Sequence, residues 1–204
     1  MRREDWDRKY SEVDRLWGTE PNRILVTEVS ALAAGRSLDL ACGEGRNSIW
    51  LAERGWDATG VDFSSVAIST ARARAREAGV EATFACEDLV HYQPASGAYD
   101  LVLLLYLHVP VHERETILNR VAEALAPGGT FLLVGHDLVN LTDGVGGPTD
   151  PTLLYTPEQI VAELPPDLEI EKAERVLRDV EGAERPAIDA LVRARKVDLS
   201  EAPG

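Results

Sequence analysis

A strand-like segment leads directly into a glycine corner whose residue types suit a small charged ligand. The segment is Leu38-Asp39-Leu40-Ala41-Cys42, and Gly43-Glu44-Gly45 follows it. Glycine is favoured because a Cβ would block the approach of a ligand to the backbone. The helix predicted after the glycines offers unpaired N–H groups and a positive dipole end, which favour an anion. The corner therefore predicts a site for a pyrophosphate or for the carboxylate of an amino-acid moiety.

Asp62 ends the next predicted strand, seventeen residues after Gly45. A carboxylate at that place can accept hydrogen bonds from both hydroxyls of a ribose. Its alternative role is to cap the following helix, and Ser64 competes for that position. We therefore favour a ribose-binding role for Asp62.

Two residues distinguish this corner from an ordinary dinucleotide-binding site. The dinucleotide fingerprint GxGxxG requires a third glycine, and Ser48 stands there instead. This disfavours a nicotinamide cofactor without excluding an NAD(P)-dependent oxidoreductase. Asp39 lies inside the first strand, where a buried carboxylate is costly unless it has a partner. A ligand ammonium, or water near it, would supply one.

Composition and net charge limit the classes of protein to which the chain can belong. The chain has 204 residues, 45% of them hydrophobic and 27% charged, and a formal net charge of −14. Phosphate backbones and anionic membranes attract Lys and Arg, so this charge predicts no nucleic-acid or membrane partner. The two cysteines form no disulfide framework, and no signal peptide or spanning segment is evident. We expect a single cytoplasmic domain over residues 1–204, of open oligomeric state.

Apolar runs alternate with helical patterns, which is typical of βαβ units and a parallel sheet. The predicted strands cover 37–42, 58–62, 82–86, 99–105 and 130–134, and two final segments, 168–180 and 187–197, form a closing antiparallel pair. Pro127-Gly128-Gly129 is predicted to turn the chain into the fifth strand. Residues 136–156 are predicted to be a long loop without periodicity.

Several segments in order resemble class I S-adenosylmethionine-dependent methyltransferases. They are DLACGEGRNSIWLAERGWDATGVDFS, CEDL at 86–89, YDLVLLL at 99–105 and LAPGG at 125–129. GRNSIWLAERG and the closing LVRARK are most similar to the tellurite-resistance (TehB)/thiopurine methyltransferase-like branch. The resemblance implies an α/β fold: a Rossmann-like, doubly wound, seven-stranded sheet, mostly parallel with an antiparallel last strand. It implies S-adenosylmethionine as cofactor and S-adenosylhomocysteine as product.

The resemblance also implies roles for individual residues. Asp39, Ala41, Cys42, Gly43 and Gly45 would surround the methionine part, and Asp62 would hold the ribose. Phe63 would pack on the adenine, Asp88 could accept its amino group, and Leu89 would lie beside the ring. Leu104 and Leu105 would lie near the sulfonium. Phe63 and Leu89 could equally be ordinary core residues.

An N-terminal segment over 1–30 is predicted to be a helical cap. Trp6, Tyr10, Val13 and Trp17 recur at helical spacing on one face. This stripe docks the segment on the core, and Tyr10 and Trp17 could also cover the methionine end of the ligand.

Candidates for a general base follow the predicted fourth and fifth strands, where strand ends face a ligand crevice. They are His108, His136 and Asp137, with Tyr106 as a further candidate. Histidine titrates in the useful range, although a histidine at a strand end is often only a packing residue. No metal-ligand spacing is present. The 136–156 loop would shape the pocket of a small-molecule acceptor. The alternative function is a non-catalytic S-adenosylmethionine-binding protein.

Overall fold

A computed structural model describes residues 2–13 and 15–198. The helices in this part are α1 (Arg3–Glu12), α2 (Arg23–Val29), α3 (Arg46–Ala52), α4 (Ser65–Ala78), α5 (Val111–Ala124), α6 (Asn140–Asp143) and α7 (Pro157–Glu163). The strands are β1 (Arg36–Leu40), β2 (Asp57–Asp62), β3 (Ala82–Cys86), β4 (Tyr99–Leu105), β5 (Leu125–His136), β6 (Leu168–Arg178) and β7 (Ala187–Lys196).

The strands form one seven-stranded sheet in the order β3-β2-β1-β4-β5-β7-β6. Strand β1 pairs with β2, and β2 with β3, in parallel. Strand β7 runs antiparallel to both of its neighbours, β5 and β6. The predicted doubly wound, mostly parallel α/β fold with an antiparallel last strand is confirmed.

The chain divides into two compact units, which are described separately below. The first contains the residues up to Gln93 and Tyr99–Leu103, and the second contains Pro94–Ala98 and the residues from Leu104 on.

In the first unit, β1 and β2 are buried over most of their length, because parallel strands are covered on both faces. Ser64 caps α4 by accepting a hydrogen bond from the backbone N–H of Ala67, and Gly79 ends that helix in the left-handed conformation. The sequence predicted the Ser64 cap.

In the second unit, strand β5 is longer than predicted. It starts at Leu125 and includes Pro127-Gly128-Gly129, which we expected to be a turn outside the strand. Gly128 has a positive φ of 75°, and pairing with β7 begins only at Thr130. The glycines thus bend the strand at its start, and their composition alone could not distinguish a bend from a turn.

The predicted 136–156 loop is only partly irregular. It contains α6 and a short 3₁₀ turn over Pro151–Leu153, and a parallel bridge joins Asp137 to Tyr155. Asn140 fixes this segment, because its side-chain Nδ2 donates to the carbonyls of Val145 and Gly146. The prediction of a long loop without periodicity did not include α6 and the 3₁₀ turn, which side-chain hydrogen bonds hold in the absence of an apolar pattern.

Candidate functional site

The glycine corner of the first unit is built by left-handed backbone. Between β1 and α3, Ala41 has φ 62°, Gly43 has φ 54° and Gly45 has φ 78°. A Cβ at Gly45 would lie 2.8 Å from Phe84 Cε1 and 2.9 Å from Ala71 Cβ, so only glycine fits there. A Cβ at Gly43 would lie 2.9 Å from the Tyr10 hydroxyl oxygen. The corner is therefore a close approach between backbone and a tyrosine hydroxyl.

Asp62 joins the end of β2 to this corner. Its Oδ2 accepts a hydrogen bond from the backbone N–H of Gly43 at 2.9 Å, and its Oδ1 accepts one from the N–H of Ser64, also at 2.9 Å. Burial raises the pKa of Asp62, while the hydrogen bonds from Ser64 and Gly43 oppose that rise. Ser64, and not Asp62, is the N-cap of α4. The hydrogen bond from Gly43 ties Asp62 to the glycine corner.

Asp39 has a buried partner that the sequence did not reveal. Ser48 Oγ donates to Asp39 Oδ2 at 2.7 Å, and neither side chain is more than 2% exposed. Burial raises the pKa of Asp39 to about 7; the bond from Ser48 opposes the rise, and the nearby charge of Asp62 adds to it. Ser48, which stands where a dinucleotide fingerprint has its third glycine, thus donates a hydrogen bond to the buried Asp39.

Tyr10 of α1 lies at the glycine corner. Its hydroxyl is within 3.5 Å of Trp17 Nε1, its ring stacks on Trp6 at 5.7 Å, and burial raises its pKa. Asp7 of the same helix accepts a hydrogen bond from Ser64 Oγ at 2.5 Å. Helix α1 is therefore held to the N-terminal end of α4.

The predicted helical stripe is wrong beyond Tyr10. Helix α1 ends at Glu12, so Val13 and Trp17 lie past it, 46% and 51% exposed. Trp17 is nevertheless tied to the corner, because its carbonyl accepts a hydrogen bond from Arg46 Nη1. Spacing placed Trp17 near Tyr10 correctly but gave the wrong local conformation.

The residues predicted to face the adenine follow β2 and β3. Asp62 pairs in register with Cys86, so the segments after the two strands leave from the same edge of the sheet. Phe63 and Asp88 are half-buried there, and Leu89 is buried. Asp88 Oδ1 accepts a hydrogen bond from the backbone N–H of Val90. Their contact with an adenine stays a prediction.

Cys42 is buried at the corner. Its Sγ lies 3.6 Å from the Gly43 carbonyl, and burial raises the pKa of the thiol well above its usual value. A Cβ on Gly60 would approach the sulfur at 2.9 Å, so the thiol packs against that glycine, and the predicted contact of Cys42 with a methionine moiety stays a prediction.

The second unit carries a polar cluster at the ends of its strands. Asp189 of β7 is fully buried; its Oδ2 accepts hydrogen bonds from Tyr106 Oη and Arg178 Nε, each at 2.7 Å. His136, the last residue of β5, has its Nδ1 3.3 Å from Asp189 Oδ1. Tyr106 adopts φ 58°, which is unfavourable for a bulky residue. Asp189 therefore lies in contact with three side chains, those of Tyr106, Arg178 and His136.

His108 belongs to the same cluster but has both ring nitrogens occupied. The backbone N–H of His136 donates to its Nε2 at 3.3 Å, which assigns the proton to Nδ1, 3.2 Å from the Leu153 carbonyl. The ring stacks between Tyr155 and His136, with centroids 5.5 Å from each. Burial lowers the pKa of His108 to about 4. This geometry supports a neutral packing role more than proton transfer.

Asp137 is engaged with its own neighbours. It is fully buried, its Oδ1 accepts from the Val139 N–H, and its Oδ2 pairs with Arg175 Nε at 2.9 Å. Its predicted catalytic role stays untested. Leu104 and Leu105, which end β4, are buried, and their predicted place near a sulfonium also stays a prediction.

Sequence reasoning missed Asp189 and Arg178. The signal was available: Asp189 interrupts an apolar run, Ala-Ile-Asp-Ala-Leu-Val, as Asp39 interrupts β1. A buried carboxylate requires a partner, which here comes from β6. Within residues 2–13 and 15–198, no cluster of His, Cys, Asp or Glu could hold a metal ion. No helix in that same part of the chain is both long and apolar enough to cross a membrane.

Comparisons with known proteins agree with the fold and the corner. Residues 38–129 match a family model described as "Methyltransferase domain". The 2-heptyl-1-hydroxyquinolin-4(1H)-one methyltransferase of Mycobacteroides abscessus is 31% identical over 117 residues, which is 56% of this chain and 52% of that protein. The ubiquinone biosynthesis O-methyltransferase of Idiomarina loihiensis is 39% identical over 109 residues, 52% of this chain and 44% of that protein. The chain spans about half the length of the curated relatives it matches.

Among solved structures, the N-methyltransferase NodS from Bradyrhizobium japonicum, in complex with S-adenosylhomocysteine, superposes with a TM-score of 0.71. The alignment covers 96% of this chain and 98% of NodS at 20% identity. At this identity the likeness shows the fold alone. The matched family region contains the glycine corner and Asp62 of the first unit.

Proposed function

We propose that this chain, which has the fold of the class I S-adenosylmethionine-dependent methyltransferases, is an enzyme of that class and methylates a small-molecule acceptor. One observation carries the proposal: Asp62 at the end of β2 accepts the N–H of Gly43 in a left-handed glycine corner covered by Tyr10. This corner lies within the region that matches a methyltransferase domain.

The residues of the first unit fit the cofactor chemically. Because Gly43 and Gly45 have no side chains, a ligand can approach their backbone closely. The Tyr10 hydroxyl lies next to Gly43 and suits the polar amino-acid tail of the cofactor. Asp62 keeps one further lone pair on each oxygen for ribose hydroxyls. Phe63, Asp88 and Leu89 would hold the adenine. When bound, S-adenosylmethionine supplies a methyl group already activated on a sulfonium.

The protein's own contribution is then binding and orientation. Asp39 and Ser48 stiffen the strand under the corner, because their hydrogen bond is buried. Tyr10 and Trp17 cover the corner from α1 and the segment after it. Covering the site excludes water, and excluded water favours transfer to the acceptor over side reactions.

A small acceptor is favoured by the relatives and by charge. Among the relatives, one is named for a hydroxyquinolone and others for ubiquinone biosynthesis, while one is a ribosomal RNA methyltransferase. The net charge of −14 disfavours RNA, because polyanions bind basic surfaces. Placement in the tellurite-resistance/thiopurine methyltransferase-like branch is part of the same proposal, on the GRNSIWLAERG and LVRARK segments.

Calorimetric titration with S-adenosylhomocysteine tests the proposal. We expect binding by the full chain, and a 10- to 100-fold weaker affinity in Asp62→Asn, since hydrogen bonds to a charged acceptor contribute about 1.5–3 kcal/mol. Asp57→Asn is the matched control, because Asp57 lies at the other end of β2 with 74% of its side chain exposed. Binding of NADH instead of S-adenosylhomocysteine would contradict the proposal. Binding without transfer to a broad panel of acceptors would favour the non-catalytic alternative.

A further inference from the structure

Helix α1 is joined to the proposed cofactor site of the first unit at two places. Asp7 and Tyr10 are three residues apart, so their side chains lie on the same side of the helix. Asp7 Oδ1 accepts a hydrogen bond from Ser64 Oγ at 2.5 Å. A Cβ on Gly43 would lie 2.9 Å from the Tyr10 hydroxyl oxygen. The contact through Asp7 was not predicted from the sequence.

Ser64 connects Asp7 to the acid that is proposed to hold the ribose. Its backbone N–H donates to Asp62 Oδ1 at 2.9 Å, and the other oxygen of Asp62 accepts the N–H of Gly43. A serine hydroxyl has a single proton, which here is donated to Asp7, while a lone pair of Ser64 Oγ accepts the N–H of Ala67. A continuous set of hydrogen bonds thus runs from α1 through Ser64 and Asp62 to the glycine corner.

Asp7 also supplies a negative charge that the start of α4 lacks. Helix α4 has no acidic residue in its own first turn, although the N-terminus of a helix has unpaired N–H groups and a positive dipole end. Asp7 Oδ1 accepts a long hydrogen bond, 3.5 Å, from the backbone N–H of Val66, the second residue of α4. Asp7 is half-buried, which reduces the screening of its charge by solvent. Helix α1 therefore stabilises the segment that follows Asp62.

The charge of Asp7 acts on Asp62. Burial raises the pKa of Asp62, the hydrogen bonds from Ser64 and Gly43 oppose that rise, and the negative charge of Asp7 adds to it. Ser64 stands between the two acids and donates to both, its N–H to Asp62 and its O–H to Asp7. A ligand hydroxyl that donates to Asp62 would weaken the repulsion between the acids. The contact of α1 with Ser64 would then become more favourable.

We infer that Asp7 is a positioning residue for Asp62 in the ribose site, and that ribose binding at Asp62 and docking of α1 stabilise each other. The inference rests on the proposed function and adds to it one residue and one coupling. Asp7 acts through Ser64 and does not itself need to contact the ligand. The coupling is reciprocal, because any gain in ribose affinity that comes from docked α1 must reappear as a gain in the stability of docked α1 when ribose binds.

A double-mutant cycle on the full chain tests the coupling, with calorimetric titration of S-adenosylhomocysteine as the measurement. We expect Asp7→Leu to weaken binding about 5- to 20-fold, in the lower part of the range for coupled sites. In the Asp62→Asn background the same change should weaken binding less than about twofold, because the two residues act through one connection. An equal effect of Asp7→Leu in both backgrounds, or no effect in the wild type, overturns the inference. An equal effect would mean that Asp7 supports only the Tyr10 cover.

Two further variants separate the hydrogen bond from a general change in α1. Asp7→Asn keeps an acceptor oxygen for Ser64 and loses only the charge at the helix start, so its affinity should lie within about threefold of the wild type. Glu4→Leu is the matched control, because Glu4 is an exposed acid on the same helix. We expect Glu4→Leu to bind as the wild type does. A loss in Glu4→Leu as large as in Asp7→Leu overturns the inference.

Hydrogen–deuterium exchange measures the reciprocal effect without a substitution in α1. Saturating S-adenosylhomocysteine should slow exchange of the α1 amides at least about fivefold in the wild type. The protection should be smaller in Asp62→Asn at saturation. Equal protection in the two proteins overturns the inference, and the proposed function still stands because the ligand binds. Failure of the wild type to bind S-adenosylhomocysteine contradicts the proposed function itself, and the inference with it.

Discussion

Ser48 donates a hydrogen bond from Oγ to Oδ2 of Asp39 across 2.7 Å, and both side chains are buried. Asp39 lies in β1 and Ser48 in the first turn of α3, so the bond joins the two elements that flank the glycine corner. A glycine at position 48 would pack the helix equally closely but would leave the acid without this donor. The pair therefore explains both departures of the sequence from a dinucleotide fingerprint.

Asp39→Asn should reduce the pH dependence of stability. The pKa of Asp39 in the folded chain is about 7, above the ordinary aspartate value of 3.8, so its contribution to stability is present at low pH and is lost as the pH rises through 7. Between pH 5 and 8 the free energy of unfolding of the wild type should fall by about 2 kcal/mol more than that of Asp39→Asn. Urea denaturation at the two pH values measures this, with the exposed Asp57→Asn as control. Equal decreases in the free energy of unfolding of the wild type and Asp39→Asn would show that burial does not raise the pKa of Asp39.

Gly43→Ala should destabilise the chain more than Gly79→Ala. Both glycines are left-handed, with φ 54° and 69°, so each alanine costs about 1 kcal/mol in backbone strain. Only at Gly43 does the new Cβ meet another group, the Tyr10 hydroxyl at 2.9 Å; nothing lies within 4 Å at Gly79. Thermal denaturation of both variants gives the difference. In a Tyr10→Phe background the extra cost should disappear, and its persistence would mean that the strain lies elsewhere.

His108→Gln should remove an acid-sensitive contribution. The pKa of His108 in the folded chain is about 4, below the ordinary histidine value of 6.5, so its contribution to stability is present above pH 6.5 and is lost as the pH falls towards 4. Glutamine can accept the His136 N–H and donate to the Leu153 carbonyl, which preserves the packing. Between pH 7 and 4 the wild type should lose about 2 kcal/mol more than the variant, measured by urea denaturation. The exposed His112→Gln should behave as the wild type, and a variant as acid-sensitive as the wild type would assign the effect to another group.

Local patterns predicted most elements well. Strands β3 and β4 lie where apolar runs placed them, and Ser64 caps α4 as its type predicted. These features depend on neighbours within a few residues, which is why periodicity and capping chemistry reveal them. The failures, at Trp17 and at Pro127-Gly128-Gly129, are places where contacts distant in the chain choose between two locally acceptable conformations.

The sheet, the glycine corner and the acid at the end of β2 could be predicted from the sequence, because each is specified by residue type and short spacing. The partners of the buried acids became known only from the folded chain: Ser48 lies against Asp39, Arg175 against Asp137, and Arg178, Tyr106 and His136 against Asp189. The physical reason is that a buried charge is stabilised by groups near in space, and for Asp137 and Asp189 those groups come from other strands. An acid inside an apolar run can be recognised in the sequence as one that needs a partner, and the folded chain shows which residue is that partner.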